Sequence, residues 1–568
     1  MKYSIPKNRK TNVVFITPDQ MRADHLYCYG YFRKTSPYID KMAHEGVLFK
    51  RHYAAASWTT PSFCSIMSSL VPSRHGATLF GSSIADSTIP LLSEQFKESG
   101  YKTVAFCNNA LASKPLARGF DELYEGERYR PQNITEHMEF GAQGTNKKIF
   151  EWLNQCHSEP FFMWILYFEP HSPYNPPPEH DIFKTSSYPD ETNNGYGPER
   201  NSGRLYRLAN AGDKKAVERL NGLYDGKIHF VDYYIGQVLE KLRELGLDEK
   251  TLVVLASDHG EMLYEHVDCL TFDHRSLYNS NIHVPLIVRG PSIPKGKSID
   301  AIVSTLDIAP TILETASLPP LEGAQGKSLI PLISGKDEAV HECIFAEQDI
   351  LEPMRSVRNK RYKLIRHLQD GKIQLYDVIV DPGENKDIAN QNPEIVRTLS
   401  GKLTDYMKEN EPSEEEKICR WRQRAISFPE IIVDEVTIGA RLQFFGTGYD
   451  DITSWVKISD GGNNYRNACY WIELGDGSKG ALWRSDNPLL GTYNIYVWYG
   501  KLSQRRSATN VHFIVTTRQS LQTFFVDQNK NVGRWNLLGK FKDPLYVKVT
   551  NKADGPIIID AVKFERIE

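Results

Sequence analysis

Four short apolar runs, each followed by polar residues, constrain the fold of this chain more than any other feature. Runs of this length and composition are typical of strands that a parallel sheet buries on both faces. Segments with helical spacing separate them, and alternating strands and helices predict a mainly parallel sheet sandwiched by helices. The predicted strands are Asn12–Thr17, Lys102–Cys107, Pro160–Phe168 and Thr251–Ala256. We therefore predict an α/β fold for this part of the chain.

The carboxyl ends of these strands carry side chains that suit catalysis or metal binding. In a parallel sheet these ends share one edge, where α/β proteins bind their ligands. The strand-end residues are Asp19, Asn108, Asn109, His171, Asp258 and His259. Asp258 and His259 offer oxygen and nitrogen ligands, and with Asp19 they suit zinc, manganese or calcium. Taken alone, an aspartate or histidine here is also consistent with a turn, a helix cap or a purely structural role.

A threonine at the start of a predicted helix is the candidate nucleophile. Small residues lead to Thr59, and Pro61 suits the first turn of a helix because its missing N–H has no helical partner to lose. A hydroxyl here lies near free backbone donors and the positive end of the helix dipole, which stabilise an anionic group. The simpler alternative is a capping threonine, which accounts for most hydroxyl residues at helix starts.

Length, charge and cysteine content exclude several classes of protein. A chain of 568 residues is too long for a single core, and a net charge of −3 gives no electrostatic reason to expect nucleic acid as a partner. No run is apolar enough to span a membrane, and no signal peptide precedes the first strand. The eight cysteines form no CxxC pair, which is typical of reduced thiols. We therefore expect a cytoplasmic protein unless a signal was removed; the sequence predicts no oligomeric state.

Five motifs occur in the order and spacing of a known family. They are Val13–Asp24, Trp58–Gly76, Pro170–Tyr174, Ser257–His266 and Tyr278–Pro291. The chain resembles the sulfatases, members of the alkaline phosphatase superfamily, over about residues 10 to 410. The resemblance implies an alkaline-phosphatase-like fold and one divalent metal ion, for which we expect Mn, Zn or Ca.

The same resemblance implies roles for individual side chains. The implied metal ligands are Asp19, Gln20, Asp258 and His259. The implied catalytic contacts to the transferred group are His171 and His274, and the expected substrate-binding residues are Asn108, Asn109 and Arg275. Gln20 stands where many members have a second Asp, and a glutamine at this place is also known in the phosphonate monoester hydrolases of the family.

The nucleophile motif departs from the family in two places. Sulfatases that resemble this chain convert the Cys or Ser of a C/S-x-P-x-R motif to formylglycine, whereas here the motif runs from Thr59 to Phe63. Threonine cannot form this aldehyde, because the methyl group on its β-carbon would yield a ketone. Phe63 replaces the motif arginine, and Cys64 lacks a following Pro or Arg, which indicates a core residue. We therefore expect no formylglycine.

Threonine is itself the nucleophile in other branches of the superfamily. The chain is similar in this respect to nucleotide pyrophosphatases and to phosphoethanolamine and phosphoglycerol transferases, where a metal activates the hydroxyl. A threonyl sulfate would hydrolyse slowly without the aldehyde hydrate to expel it. We therefore favour hydrolysis or transfer of a phosphodiester or phosphonate monoester on a glycan or glycoconjugate. The alternatives are a sulfatase, or a family member that binds an anionic glycan without turnover.

The last part of the chain predicts a separate module. We place the catalytic domain at residues 1–340, a C-terminal subdomain and linker at 341–428, and an all-β sandwich at 429–568. Short alternating strands with Gly, Asn and Asp turns indicate the sandwich, which resembles the golvesin/xanthan-lyase carbohydrate-binding-like domain. Its tryptophans suit stacking on sugar rings, although each alone is better explained as core; they are Trp455, Trp471, Trp483, Trp498 and Trp535.

Overall fold

The chain divides into two compact units, residues 1–411 and 412–568. The computed structural model describes residues 10–78, 84, 86–125, 141–156, 158–184, 205, 208–209, 212–266, 274, 276–349, 353–368, 370–413, 430–433, 440–445, 456–458, 469–472, 480–485, 489, 491–500, 506–517 and 520–567. Among these residues, no helix combines the length and the apolar character needed to cross a membrane. The predicted division at residue 341 stays a prediction.

An eight-stranded sheet forms the centre of the first unit. Its strands are β1 (Asn12–Asp19), β2 (Val47–Tyr53), β3 (Lys102–Cys107), β4 (Glu122–Glu125), β5 (Phe161–Pro170), β6 (Thr251–Ala256), β7 (Leu286–Arg289) and β8 (Lys297–Ser304). They lie side by side in the order β4-β3-β5-β1-β6-β7-β2-β8. β7 runs antiparallel to both of its neighbours, and the other pairings are parallel. The prediction of a mainly parallel sheet is confirmed.

Helices cover both faces of this sheet. They are α1 (Pro37–His44), α2 (Thr59–Ser68), α3 (Pro72–His75), α4 (Leu92–Glu98), α5 (Ala110–Ser113), α6 (Ala142–Cys156), α7 (Lys214–Glu244), α8 (Asn279–Ile282), α9 (Ile308–Thr315), α10 (Ile330–Ser334) and α11 (Pro393–Asn410). Short 3-10 turns lie at Ala23–His25, Tyr27–Tyr29, Lys114–Leu116, Asp248–Lys250, Thr305–Asp307 and Ala389–Gln391. Successive side chains of β1 alternate between the faces: Val14 and Ile16 join the apolar cluster of α1, α6 and α7, whereas Val13 and Phe15 join that of α2, α4 and α9.

A smaller antiparallel sheet completes the first unit. Its strands are β9 (Ile344–Gln348), β10 (Met354–Arg358), β11 (Tyr362–His367) and β12 (Ile373–Asp377), in the order β12-β11-β10-β9. α11 packs on it through Leu399 and Leu403. The backbone N–H of Glu347 donates to the carbonyl of Ala55 at 2.9 Å, so β9 lies against the segment that enters α2.

The second unit is built from antiparallel strands. They are β13 (Glu430–Val433), β14 (Ala440–Phe445), β15 (Val456–Ile458), β16 (Cys469–Ile472), β17 (Gly480–Ser485), β18 (Thr492–Trp498), β19 (Val511–Thr517), β20 (Leu521–Val526), β21 (Asn536–Lys542), β22 (Pro544–Thr550), β23 (Ile557–Ile559) and β24 (Ala561–Arg566). The sheets have the orders β13-β24-β18-β21, β14-β17-β22-β19-β20 and β15-β16-β23. Buried and half-buried residues alternate along β18 and β19, as expected of sheets with one face in a core. The all-β prediction is confirmed.

The tryptophans of this unit differ in their surroundings. Trp483 is buried in the apolar core, so it is not available to stack on a sugar. Trp498 and Trp535 are half-buried, and their rings meet edge to face at a centroid distance of 5.3 Å. Trp455 and the side chain of Trp471 lie outside the described residues.

α2 is buried along its whole length. Phe63 packs edge to face against Trp164 of β5, with 5.5 Å between ring centroids, and Cys64 lies fully buried in the same apolar cluster. Cys64 is therefore a core residue, as predicted. The position that holds an arginine in the family motif is used here to fill the core.

We expect Phe63→Ala to lower the free energy of unfolding by about 3–5 kcal/mol, because it removes a buried ring and leaves a cavity. Phe32→Ala is the matched control: Phe32 is 77% exposed, and its loss should cost less than about 1 kcal/mol. Denaturant unfolding followed by tryptophan fluorescence measures both. Equal losses in the two variants would contradict the core role of Phe63.

Candidate active site

The candidate site lies at the carboxyl edge of the central sheet. Asp19 is the last residue of β1, Asp258 and His259 follow β6 after one serine, and Thr59 is the first residue of α2. β1 and β6 are direct neighbours with Ile16 paired to Leu255, which brings their carboxyl ends together. All four side chains are buried.

Three potential metal ligands and one hydroxyl converge at this edge. The ligand atoms of Asp19, Asp258 and His259 all lie within 4.8 Å of one another. His259 Nε2 lies 3.3 Å from Asp258 Oδ2 and 3.7 Å from Asp19 Oδ1. Thr59 Oγ1 lies 3.1 Å from the same nitrogen. The strand-end residues predicted from the sequence thus meet the predicted nucleophile.

The capping interpretation of Thr59 is wrong. The residue at the N-cap position of α2 is Trp58, and its side chain makes no capping hydrogen bond. Thr59 is already the first helical residue, and its hydroxyl contacts His259 instead of serving as the cap. Thr59 and His259 are 200 positions apart in the sequence, so this tertiary contact places the hydroxyl in the site.

The hydrogen bonds of His259 determine which ring nitrogen faces the cluster. Its Nδ1 lies 2.8 Å from the carbonyl oxygen of Gly260, and a carbonyl can only accept, so Nδ1 carries the proton. In the neutral ring, Nε2 then presents its lone pair to the carboxylates and to Thr59. Metal-bound histidines commonly donate their other ring N–H to a backbone carbonyl in this way.

Gln20 adopts an unusual backbone conformation beside the cluster. Its φ of 64° lies in the left-handed region, which non-glycine residues seldom occupy. Its N–H donates to Asp258 Oδ1 at 3.2 Å, and its carbonyl accepts from the hydroxyl of Tyr224 at 2.6 Å. Its side-chain Nε2 lies 2.9 Å from Nδ1 of His274. Gln20 therefore links the carboxylate cluster to His274.

His274 and His171 form the rim of the site. The His274 ring stacks on His259 at 4.6 Å and lies 4.2 Å from the ring of Trp58, measured between centroids. The His171 ring is 6.3 Å from that of His274 and stacks on Phe168 at 4.4 Å. Of the two predicted catalytic histidines, His274 thus adjoins His259, and His171 lies next to His274. Arg275 lies outside the described residues.

The two predicted asparagines have different partners. Asn109 Nδ2 donates to Asp19 Oδ2 at 2.6 Å, which places it in direct contact with the cluster. Asn108 Nδ2 donates to Thr145 Oγ1 of α6 at 2.6 Å. Asn109 therefore orients Asp19, a candidate metal ligand. The hydrogen bond of Asn108 instead joins the end of β3 to α6.

Several residues that support the site were not predicted from the sequence. Ser62 donates to the carbonyl of Asp258 at 2.6 Å, and Ser257 donates to the carbonyl of Pro18 at 2.8 Å, so α2, β1 and β6 are tied together at the site. Trp58 and Tyr224 also contact the site. The position of Trp58 next to the nucleophile motif could have indicated its place in the site. Tyr224 lies about 200 residues from its partner Gln20, so no local pattern indicates it.

The donor atoms suit a divalent metal ion. Two carboxylates, an imidazole nitrogen and an amide oxygen form a mixed oxygen and nitrogen set. Asp258 Oδ2 and Gln20 Oε1 are buried and make no hydrogen bond to any residue that the structure describes. Burial raises the pKa of the Asp258 carboxyl, because its charged form is desolvated. A bound cation would supply the compensating charge, so the residues fit the metal implied by the resemblance.

Comparison with protein-family models decides the family. Residues 11–318, more than half of the chain, match the sulfatase family. This chain belongs to the sulfatase family. Residues 268–409 match the C-terminal region of N-sulphoglucosamine sulphohydrolase, and residues 447–566 match the golvesin C-terminal domain. The predicted family and the predicted second module are confirmed.

Individual sulfatases and related structures show the same relationship. The chain is 25% identical to an N-acetylglucosamine-6-O-sulfatase of Bacteroides thetaiotaomicron, over 72% of this chain and 89% of that protein. A 2-O GAG sulfatase superposes with a TM-score of 0.59 at 23% identity, over 71% of this chain and 93% of that chain. A phosphonate monoester hydrolase from Silicibacter pomeroyi superposes with a TM-score of 0.57 at 21% identity, over 71% and 96%. The two structures establish the shared fold.

We expect Asp258→Asn to abolish the response of the protein to divalent metal. Ligand present at 100 times its Kd stabilises a folded protein by about 2.7 kcal/mol, and the wild type should gain this much with its preferred ion among Mn²⁺, Zn²⁺ and Ca²⁺. Without metal the variant should be at least as stable as the wild type, because the desolvated charge is gone. Thermal unfolding with and without chelator measures both effects.

Asp337→Asn is the matched control, since Asp337 is exposed. It should keep the full metal response. A metal response in Asp258→Asn equal to that of the wild type would contradict the proposed ligand set.

Proposed function

We propose that this sulfatase-family member is a metal-dependent hydrolase of an anionic ester on a glycan, with Thr59 as its nucleophile. The contact that carries this proposal is the 3.1 Å distance from Thr59 Oγ1 to His259 Nε2, inside the buried group that includes Asp19 and Asp258. A structural threonine at a helix start has no need of two buried carboxylates and a histidine beside it.

The chemistry requires the Thr59 oxygen to replace the alcohol of the ester. Oγ1 loses its hydroxyl proton to water and bonds to sulfur or phosphorus while the bond to the glycan oxygen breaks; the glycan oxygen takes one proton from water and leaves as the alcohol. A divalent ion held by Asp19, Gln20, Asp258 and His259 would lower the pKa of the hydroxyl and offset charge on the ester oxygens. Water then cleaves the threonyl ester, which restores Thr59 and releases the inorganic anion or the second ester product.

A sulfate ester takes first place as the substrate. Membership of the sulfatase family and the named activity of the N-acetylglucosamine-6-O-sulfatase support a sulfated glycan. They favour the sulfatase alternative over the phosphodiester or phosphonate that the threonine alone suggested. Location in the cytoplasm and sugar binding by the second unit stay predictions.

A phosphoric or phosphonic ester is the second candidate, and Thr59 is the observation that favours it. Direct displacement by a threonine alkoxide suits phosphorus, whereas a threonyl sulfate lacks the aldehyde hydrate that expels sulfate in formylglycine enzymes. A phosphonate monoester hydrolase shares the fold of this chain, so the fold is compatible with this second candidate. Binding of an anionic glycan without turnover is the remaining alternative.

We expect Thr59→Ala to lose at least about a thousandfold in turnover of whichever ester the protein hydrolyses, because removal of a nucleophile has effects of this size or larger. Purified protein is assayed with Mn²⁺, Zn²⁺ or Ca²⁺ on aryl sulfate, aryl phosphodiester and aryl phosphonate monoester. Quenched samples analysed by peptide mass spectrometry should show the transferred group on Thr59. With a sulfate ester the adduct should accumulate in an initial burst.

Thr60→Ala is the control, since it removes an adjacent buried threonine without touching the proposed nucleophile. It should retain activity within about tenfold of the wild type. Hydrolysis that survives Thr59→Ala would contradict the nucleophile. A metal-loaded wild type that binds sulfated glycan but forms no adduct with any ester would support the binding alternative instead.

A further inference from the structure

We infer that Gln20 and the backbone carbonyl of Ser172 hold the two rim histidines in opposite tautomers, so that neutral His274 donates a hydrogen bond through Nε2 and neutral His171 accepts one there. The use of these groups in a reaction rests on the proposed function. The tautomers themselves do not, because the hydrogen-bond partners of the two rings determine them.

The partner of His274 is a hydrogen-bond donor. Nε2 of the Gln20 amide lies 2.9 Å from Nδ1 of His274, and an amide nitrogen donates but never accepts. Nδ1 must therefore accept, which leaves the ring proton on Nε2. The amide oxygen of Gln20 is the atom suited to a metal, so an amide that ligates through oxygen has only its NH₂ group for His274. Gln20 acts as a positioning residue for this ring.

The partner of His171 is an acceptor. Nδ1 of His171 lies 2.7 Å from the carbonyl oxygen of Ser172, and a carbonyl accepts but never donates. Nδ1 therefore carries the proton, and in the neutral ring Nε2 has the lone pair. The hydroxyl of Ser172 is 3.4 Å from the same Nδ1, a longer and weaker contact than the carbonyl makes. Stacking on Phe168 holds the ring in this orientation.

Glu261 is the competing partner for His274. Its Oε1 lies 3.7 Å from Nδ1, beyond the range of a hydrogen bond, whereas the amide of Gln20 is 0.8 Å closer. A carboxylate as nearest partner would place the proton on Nδ1 and remove the donor from Nε2. A second Asp, which many family members have in place of Gln20, would likewise favour the proton on Nδ1.

Opposite tautomers give the rim one hydrogen-bond donor and one proton acceptor, with 6.3 Å between ring centroids. His274 Nε2–H suits an anionic oxygen of the bound ester, where a neutral imidazole stabilises charge without giving up its proton. His171 Nε2 suits the second step, in which it takes one proton from the attacking water. The water oxygen bonds to sulfur or phosphorus as the bond to Thr59 Oγ1 breaks, and Thr59 leaves as the alkoxide.

The test is imidazole nitrogen NMR on metal-free protein with ¹⁵N-labelled histidine, at a pH where both rings are neutral. His274→Asn and His171→Asn assign the two signal sets among the 16 histidines. In the wild type the proton should be on Nε2 of His274 and on Nδ1 of His171. Gln20→Glu should move the His274 proton to Nδ1. Gln20→Met, which offers neither donor nor acceptor, should give a mixture and serves if Gln20→Glu does not fold.

Two controls separate the proposed partners from their competitors. Glu261→Gln should leave the His274 tautomer unchanged, and Ser172→Ala should leave the His171 tautomer unchanged. A wild-type proton on Nδ1 of His274 or on Nε2 of His171 overturns the inference, as does a His274 signal that neither Gln20 variant alters. Because no metal or substrate is present, these outcomes are independent of whether the protein hydrolyses any ester.

Discussion

The structure depends on the burial of two carboxylates, an imidazole and a hydroxyl at one point of the sheet edge. Charges removed from water are costly unless a counter-charge accompanies them. The arrangement around Asp19 and Asp258 supplies few such charges among the described residues: Asn109 and the Gln20 backbone donate hydrogen bonds, and the His259 ring lies beside both carboxylates. A fold that keeps this group dry leaves the remaining compensation to a cation. The strand register that brings β1 beside β6 thus assembles the candidate metal site.

Phe63, which replaces the motif arginine, shows that α2 contributes both to the site and to the apolar core. This helix is buried throughout, so a charged side chain at position 63 would need polar partners on its inner face. Phe63 meets Trp164 there instead. Two other residues of the motif lie at the site. Thr59 in the first turn of α2 contacts His259, and Ser62 donates to the carbonyl of Asp258. The proposed nucleophile is therefore held by the end of β6 through His259, not by a neighbouring arginine.

The elements that follow from local pattern could be predicted from the sequence, and those that follow from distant contacts could not. β3 and β6 begin and end where the apolar runs do, while β1 continues two residues beyond its run to end at Asp19. The strand-end rule found Asp19 and Asp258 because parallel strands share an edge. It could not choose between Asn108 and Asn109, whose partners are set by the local turn, nor foresee the left-handed backbone of Gln20.

Family membership and the nucleophile constrain different steps of the reaction. The first displacement needs an activated oxygen, a nearby cation and donors for the ester oxygens, whether the ester contains sulfur or phosphorus. Asp19, Asp258 and His259 beside Thr59 could hold that cation. The second step differs between sulfate esters and phosphorus esters. A formylglycine hydrate expels sulfate by collapsing to the aldehyde, which a threonine cannot do. Cleavage of a threonyl ester instead requires a positioned water and a base. If the substrate is a sulfate ester and Thr59 is the nucleophile, we expect the slow step to be that hydrolysis. Turnover would then depend on His171, the proposed proton acceptor.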